Sequence, residues 1–267
     1  MVSPEIRRPE TQDPDFDRKR WLYFYKLGRR VPKAVKLYRA FDARERKPSK
    51  SVAKGEPIHQ APYHCLVVAA RAEILADQLG MSSEVKEKLV LAAAIHDAFK
   101  ARQVAMVDPS GGSFESFEEA EKAEEKAMRA EGVPIDVIAM AQGAGHPVRK
   151  VDKLLAKKKL SESELAFLIV FYIDSYTQGT SWASSGDAID ARFSRDPSRY
   201  PAFDETARGR VSVQSEESGF EALKRAGHQV QERLAHELGV DPADLPQWID
   251  MLIQRRIERT SLPPQDS

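Results

Sequence analysis

The chain has a single cysteine, Cys65, in 267 residues. One thiol excludes an internal disulfide framework and fits a reducing compartment. Charge of one sign is also missing: 41 Lys and Arg face 41 Asp and Glu, so no global field dictates a partner. Long apolar runs are absent. LAFLIVFYI is too short to span a bilayer and runs into Asp174. The first twenty residues are charged and hold no apolar stretch of the kind a secretory leader needs, so a cytoplasmic protein without a membrane span is expected. No segment is strand-rich and no internal repeat is visible. What remains is 42 % apolar and 31 % charged, the composition of a soluble globular chain long enough to bury a sizeable core.

Helical punctuation dominates from Pro62 onward. Apolar positions recur at helical spacing over 64–79 and stop at Gly80. Ser82 or Ser83 can cap a second helix running to about Lys100. A charged helix, ESFEEAEKAEEKAMRAEG, ends at Gly132, and Pro134 opens the helix VPIDVIAMAQGAG. Ser161 with Glu164 spells a capping box ahead of the apolar helix that carries Asp174. Residues 179–216 read as a long polar loop. Two helices follow, over about 217–238 and 243–258, with Asp241-Pro242 as the start signal of the second. The expected organisation is a disordered stretch over 1–16, a basic, aromatic helical segment and linker over 17–60, a helical domain over 61–258 and a disordered tail over 259–267.

The balanced charge hides an asymmetry. From Arg18 to Lys54 there are fourteen Lys or Arg and two acids, Asp42 and Glu45, interleaved with Trp21, Tyr23, Phe24, Tyr25, Tyr38 and Phe41. Such a segment can hold nucleic acid through phosphates and stacking, or lie on an anionic membrane. The plainer reading has its aromatics packed on the core and its cations in water.

Two adjacent polar groups, His96 and Asp97, close the apolar run VLAAAI. A carboxylate entering a hydrophobic bundle finds a partner or a metal, because leaving it unpaired costs several kcal/mol. Two more residues fit a metal: His64, which opens HCLVVAARAEILADQLG, and Asp174. Two imidazoles and two carboxylates make a borderline N/O site suited to Mn²⁺, Fe²⁺, Co²⁺, Ni²⁺ or Zn²⁺, with Mg²⁺ less favoured. Cys65 reads first as a small core residue and second as a soft ligand.

In the order His, His-Asp, Asp, over roughly residues 58–180, the chain resembles the HD superfamily of metal-dependent phosphohydrolases. The resemblance implies an HD-domain-like helical bundle, all-α, with a long loop after the last ligand helix. It implies one divalent metal ion held by His64, His96, Asp97 and Asp174. The family often places Lys or Glu three residues after its doublet; HDAFK supplies Lys100. Members with two metals add histidines between the doublet and the last Asp. Here His146 alone occupies that interval as an additional ligand, and glutamates including Glu118 and Glu119 stand where another His is expected, so one metal is implied.

The activity implied is hydrolysis of a phosphate ester, with a nucleotide as the small phosphorylated substrate. Asp97 would orient or deprotonate the attacking water. Lys100, with Arg192, Arg195 or Arg199 from the loop, would neutralise phosphate charge. Arg208, Arg210, Tyr200 and Phe203 enrich the same loop for phosphate and base contacts. Three rival readings stand beside this one: an HD-type nuclease on single-stranded nucleic acid held by residues 18–54, a non-catalytic HD module binding a nucleotide or a protein, and an HD-fold diiron oxygenase.

Overall fold

The computed structural model describes residues 14–42, 61–98, 114–145, 148–177, 189–190 and 217–262. Among the described residues all regular structure is helical, so the fold is all-α. The helices are α1 Pro14–Arg30, α2 Pro32–Asp42, α3 Ala61–Gln78, α4 Ser83–Ile95, α5 Phe114–Ala130, α6 Ile135–Ala141, α7 Val148–Leu155, α8 Glu162–Tyr176, α9 Gly219–Leu238 and α10 Leu245–Glu258, with a 3₁₀ turn at Gln142–Gly145.

Two helices form the centre. α3 buries Val67, Val68, Ala69, Ala70, Ala72, Ile74, Leu75 and Ala76 in near-unbroken sequence, and α8 buries every residue from Ala166 to Tyr176. A helix that is apolar on all sides must be surrounded. Accordingly α3 packs on α1, α4, α8 and α10, while α8 packs on α3, α4, α6, α9 and the 3₁₀ turn. Small side chains at Ala92, Ala93 and Ala94 let the end of α4 come close to both. The 3₁₀ turn sits still closer to α8. A Cβ on Gly143 would lie 2.7 Å from the Phe167 carbonyl oxygen, so this contact requires glycine.

Helix ends follow their local chemistry. Gly80, Gly132 and Gly239 take left-handed φ of 63°, 70° and 67°, and each stops a helix. At each, the next residue's N–H reaches back to a last-turn carbonyl, Met81 to Ala76, Val133 to Met128 and Val240 to Ala235, all at 3.0 Å. Ser161 with Glu164 and Ser218 with Glu221 form complete capping boxes.

Four boundaries differ from the sequence reading. α1 begins at Pro14, inside the stretch expected to be disordered, with Asp15 and Asp17 placed against its N-terminal dipole. α4 ends at Ile95 with a turn through Ala98, short of Lys100. Val148–Leu155, not anticipated, is a helix burying Val148, Val151 and Leu154. α10 starts at Leu245, because Asp241 turns the chain first: its carboxylate accepts the Ala243 N–H at 2.8 Å and its carbonyl the Asp244 N–H at 3.0 Å. The expected disorder over 1–13, the linker over 43–60 and the tail end 263–267 lie outside the described residues.

No helix among the described residues is long and apolar enough to cross a membrane.

Candidate metal centre

Three helices deliver one polar group each to a common point. His64 comes from the first turn of α3, His96 caps the C-terminus of α4, and Asp174 lies in the last turn of α8. All three are buried, at 9 %, 6 % and 3 % exposure. His64 Nε2 is 3.3 Å from Asp174 Oδ1, His96 Nε2 is 3.3 Å from the same oxygen, and the two Nε2 atoms are 3.3 Å apart. Three atoms so spaced form an equilateral triangle. A point just off its centre lies about 2 Å from each corner, the bond length of a first-row cation to imidazole nitrogen and carboxylate oxygen. The residues therefore fit a divalent metal in both donor type and spacing.

The tautomer of His96 supports the same geometry. Its Nδ1 is 2.7 Å from the Ala93 carbonyl, and a carbonyl only accepts. Nδ1 must carry the hydrogen there, which leaves the Nε2 lone pair facing Asp174 and His64 when the ring is neutral. Burial alone would push the His96 pKa down. Facing Cys65, Asp97 and Asp174 outweighs that and raises it well above the usual histidine value. A cation at the centre takes the place of the proton these acceptors otherwise attract.

Asp97 stands one step farther out. Its Oδ2 is 3.9 Å from His96 Nε2, and its side chain is 18 % exposed where that of His96 is closed off. Asp97 follows His96 in the turn after α4, and its more exposed carboxylate falls at the rim of the centre.

Two supporting residues escaped the sequence reading. Tyr38 reaches over from α2 and its hydroxyl donates to the Ala94 carbonyl, one of the carbonyls left open where α4 ends. Burial of that hydroxyl pushes its pKa well up, and neighbouring Cys65 adds to the effect, so Tyr38 stays a donor. Cys65 itself is fully buried. The second is Arg71, two turns along α3 from His64 and fully buried. It donates to Thr177 Oγ1 at 2.6 Å and to Asp250 Oδ1 from Nε at 3.1 Å and from Nη2 at 2.9 Å, and its guanidinium lies 4.7 Å over the Tyr176 ring. Thr177 follows Asp174 by three residues. Arg71 therefore fixes α3 against the end of α8 next to the place where His64 meets Asp174. The available signal was an arginine inside an apolar run, on the same helix face as His64.

Of the residues expected in the site, the structure brings together His64, His96 and Asp174, with Asp97 beside them. Lys100, His146, Arg192, Arg195, Arg199, Tyr200, Phe203, Arg208 and Arg210 lie outside the described residues. Glu118 and Glu119 lie on α5, and their side chains are outside the description. Within 179–216 the described part is Ile189–Asp190, where Ile189 packs by Gly227 and Asp190 pairs with Lys224 at 2.6 Å and His228 at 3.2 Å. No family model matches this chain, and comparison with curated proteins and with solved structures gives no match.

Proposed function

We propose that this chain is a one-metal phosphohydrolase of the HD type that cleaves a phosphate ester of a nucleotide. The observation that carries the reading is the meeting of His64, His96 and Asp174 at mutual 3.3 Å separations inside the helical bundle. A divalent cation held there supplies positive charge to phosphoryl oxygens and makes a water acidic enough to attack near neutral pH. His64 and His96 hold it through neutral nitrogens, and Asp174 contributes the buried negative charge. Asp97, at the solvent-facing rim 3.9 Å from His96 Nε2, orients the attacking water and accepts its proton. Lys100 and an arginine of the loop, Arg192, Arg195 or Arg199, neutralise the phosphate.

The test is elemental analysis of purified protein, followed by phosphate release from a nucleotide panel with added Mn²⁺, Co²⁺, Ni²⁺ or Mg²⁺. The expected result is one ion per chain and turnover of at least one nucleotide. Asp97→Ala is expected to lower kcat by about 10²- to 10⁴-fold with unchanged circular dichroism, the range for losing a group that handles the proton. Lys100→Ala is expected to raise KM more than it lowers kcat. Full turnover by folded Asp97→Ala protein would remove the assignment. Two irons per chain would favour the oxygenase, and a metal-free protein without turnover would favour a binding module.

A further inference from the structure

The outward face of α1 carries a second assembly of residues that the metal centre does not use. Trp21 is 65 % exposed and Tyr25 50 % exposed, although both are large aromatics. One helical turn apart, their rings stack at 5.1 Å between centroids and 9° between planes. The pair presents a flat, rigid aromatic surface to water. A single exposed aromatic needs no explanation, but two aligned on one stripe do.

The cations of α1 and α2 divide by face. Those turned toward the body are occupied: Arg30 pairs with Glu73 at 2.5 Å, Lys36 with Glu131 at 2.5 Å, and Lys33 donates to the Gly132 carbonyl at 2.6 Å. On the exposed face of α1, Arg18 has a loose 3.8 Å pair with Asp15, and Arg29 on the aromatic stripe and Lys26 at its flank, both exposed, have no ion pair among the described residues. Arg18, Trp21, Tyr25 and Arg29 follow one another at spacings of three or four, so cation, ring, ring and cation share one side of the helix. From Arg18 to Arg29 the stripe runs about 16 Å, room for a few nucleotides.

We propose that this stripe binds single-stranded nucleic acid, with unpaired bases stacking on the Trp21–Tyr25 surface and phosphates meeting Arg18, Lys26 and Arg29. The alternatives fit less well. A helix lying on a membrane needs its apolar face free, but Phe24 and Leu27 are spent on the core, Phe24 edge-on to Tyr63 at 5.1 Å. A duplex hides its base faces and gains nothing from exposed rings. An acidic peptide would use the cations and leave the rings idle. Arg18, Lys26 and Arg29 are clustered cations in a chain with no net charge, so the positive field is local to this face.

The experiment is fluorescence anisotropy of a labelled single strand of about twelve nucleotides, titrated with the full chain between about 50 and 200 mM salt. Binding that weakens as salt rises is expected. Trp21→Ala with Tyr25→Ala should weaken it about tenfold or more, the loss expected for stacking. Lys26→Ala with Arg29→Ala should reduce the log–log salt slope by about 1.4, for two phosphate contacts on a single strand. All four side chains are exposed, so circular dichroism should not change. His96→Ala should bind the strand like the native chain, so this result stands or falls apart from the metal reading. Three outcomes would overturn the proposal: no strand binding at low salt, equal affinity in the aromatic double variant, or a duplex, anionic phosphatidylglycerol vesicles or a poly-glutamate peptide bound as tightly as the strand.

Discussion

Arg71 is a fully buried charge whose loss carries a large local cost. Its guanidinium is fully buried and is held by Asp250, Thr177 and the Tyr176 ring. Removing one partner of a buried pair leaves the other charged in an apolar surround, which costs about 3–5 kcal/mol. Arg71→Ala is therefore expected to lower the unfolding free energy, measured by urea titration, by an amount in that range. Arg71→Met combined with Asp250→Leu should lose less than the two single changes added together, because no charge is then stranded; strict additivity would show that the pair is not coupled. The residue scale also shows what the sequence could reveal. His64, His96 and Asp174 were legible because polar groups at the ends of apolar helices invite a common partner. Arg71 was not, since its carboxylate partner lies on another helix, 179 residues away. Trp21 and Tyr25 were visible as aromatics among cations. Their exposure was not visible, because adjacent Phe24 on the same helix faces inward.

At the scale of elements, the starts and stops written in local chemistry are those the sequence revealed. The box at Ser161 is complete: the hydroxyl accepts the Glu164 N–H at 3.3 Å, and Glu164 Oε2 accepts the Ser161 N–H at 2.9 Å. Ser161→Ala is expected to cost about 1 kcal/mol by losing that cap. Hydrogen bonding from Lys157, then from the Ser161 backbone, lowers the Glu164 pKa to about 2. The folded-state value is depressed, so this contribution is full above the unfolded carboxyl value near 4.3 and is lost as pH falls toward about 2. Glu164→Gln should flatten the decline of Tm across that acid window and leave its shape near pH 7 unchanged. A decline of the same steepness in the variant would show that the box does not carry the shift. Boundaries set by tertiary contact were not legible. α7 is short and highly charged, and it is held by packing of Val148, Val151 and Leu154 and by Arg225 on α9, which pairs with Asp152 at 3.0 Å. Asp241-Pro242 looks like a helix start, yet the Gln231 amide takes the Pro242 carbonyl and keeps it in the preceding turn.

At the scale of the whole molecule, α3 is a hub to which polar ties bind α1, α4, α8 and α10. Its first turn meets α4 and α8 at His64, its middle meets α8 and α10 through Arg71, and Glu73 joins Arg30 of α1 at 2.5 Å to Arg256 of α10 at 3.2 Å. The all-α class was readable from helical spacing alone, whereas these ties join residues too far apart in sequence for any local pattern to report. The arrangement makes the metal reading testable through stability, without any substrate. A cation bound to His64, His96 and Asp174 clamps three helices that the unfolded chain leaves apart, so it binds the folded form preferentially. At a hundredfold excess over Kd such binding stabilises by about 2.7 kcal/mol. In a domain of this size each kcal/mol moves Tm by about 2–4 °C, so a rise of about 5–10 °C is expected with a tightly bound cation among Mn²⁺, Co²⁺, Ni²⁺ and Zn²⁺. Chelation should reverse it. His96→Ala and Asp174→Asn should each abolish most of the rise, because either change breaks the triangle of donors, whereas Trp21→Ala should keep it in full. A native chain whose Tm ignores all of these cations, measured in the same scans, would show that the three groups satisfy only one another.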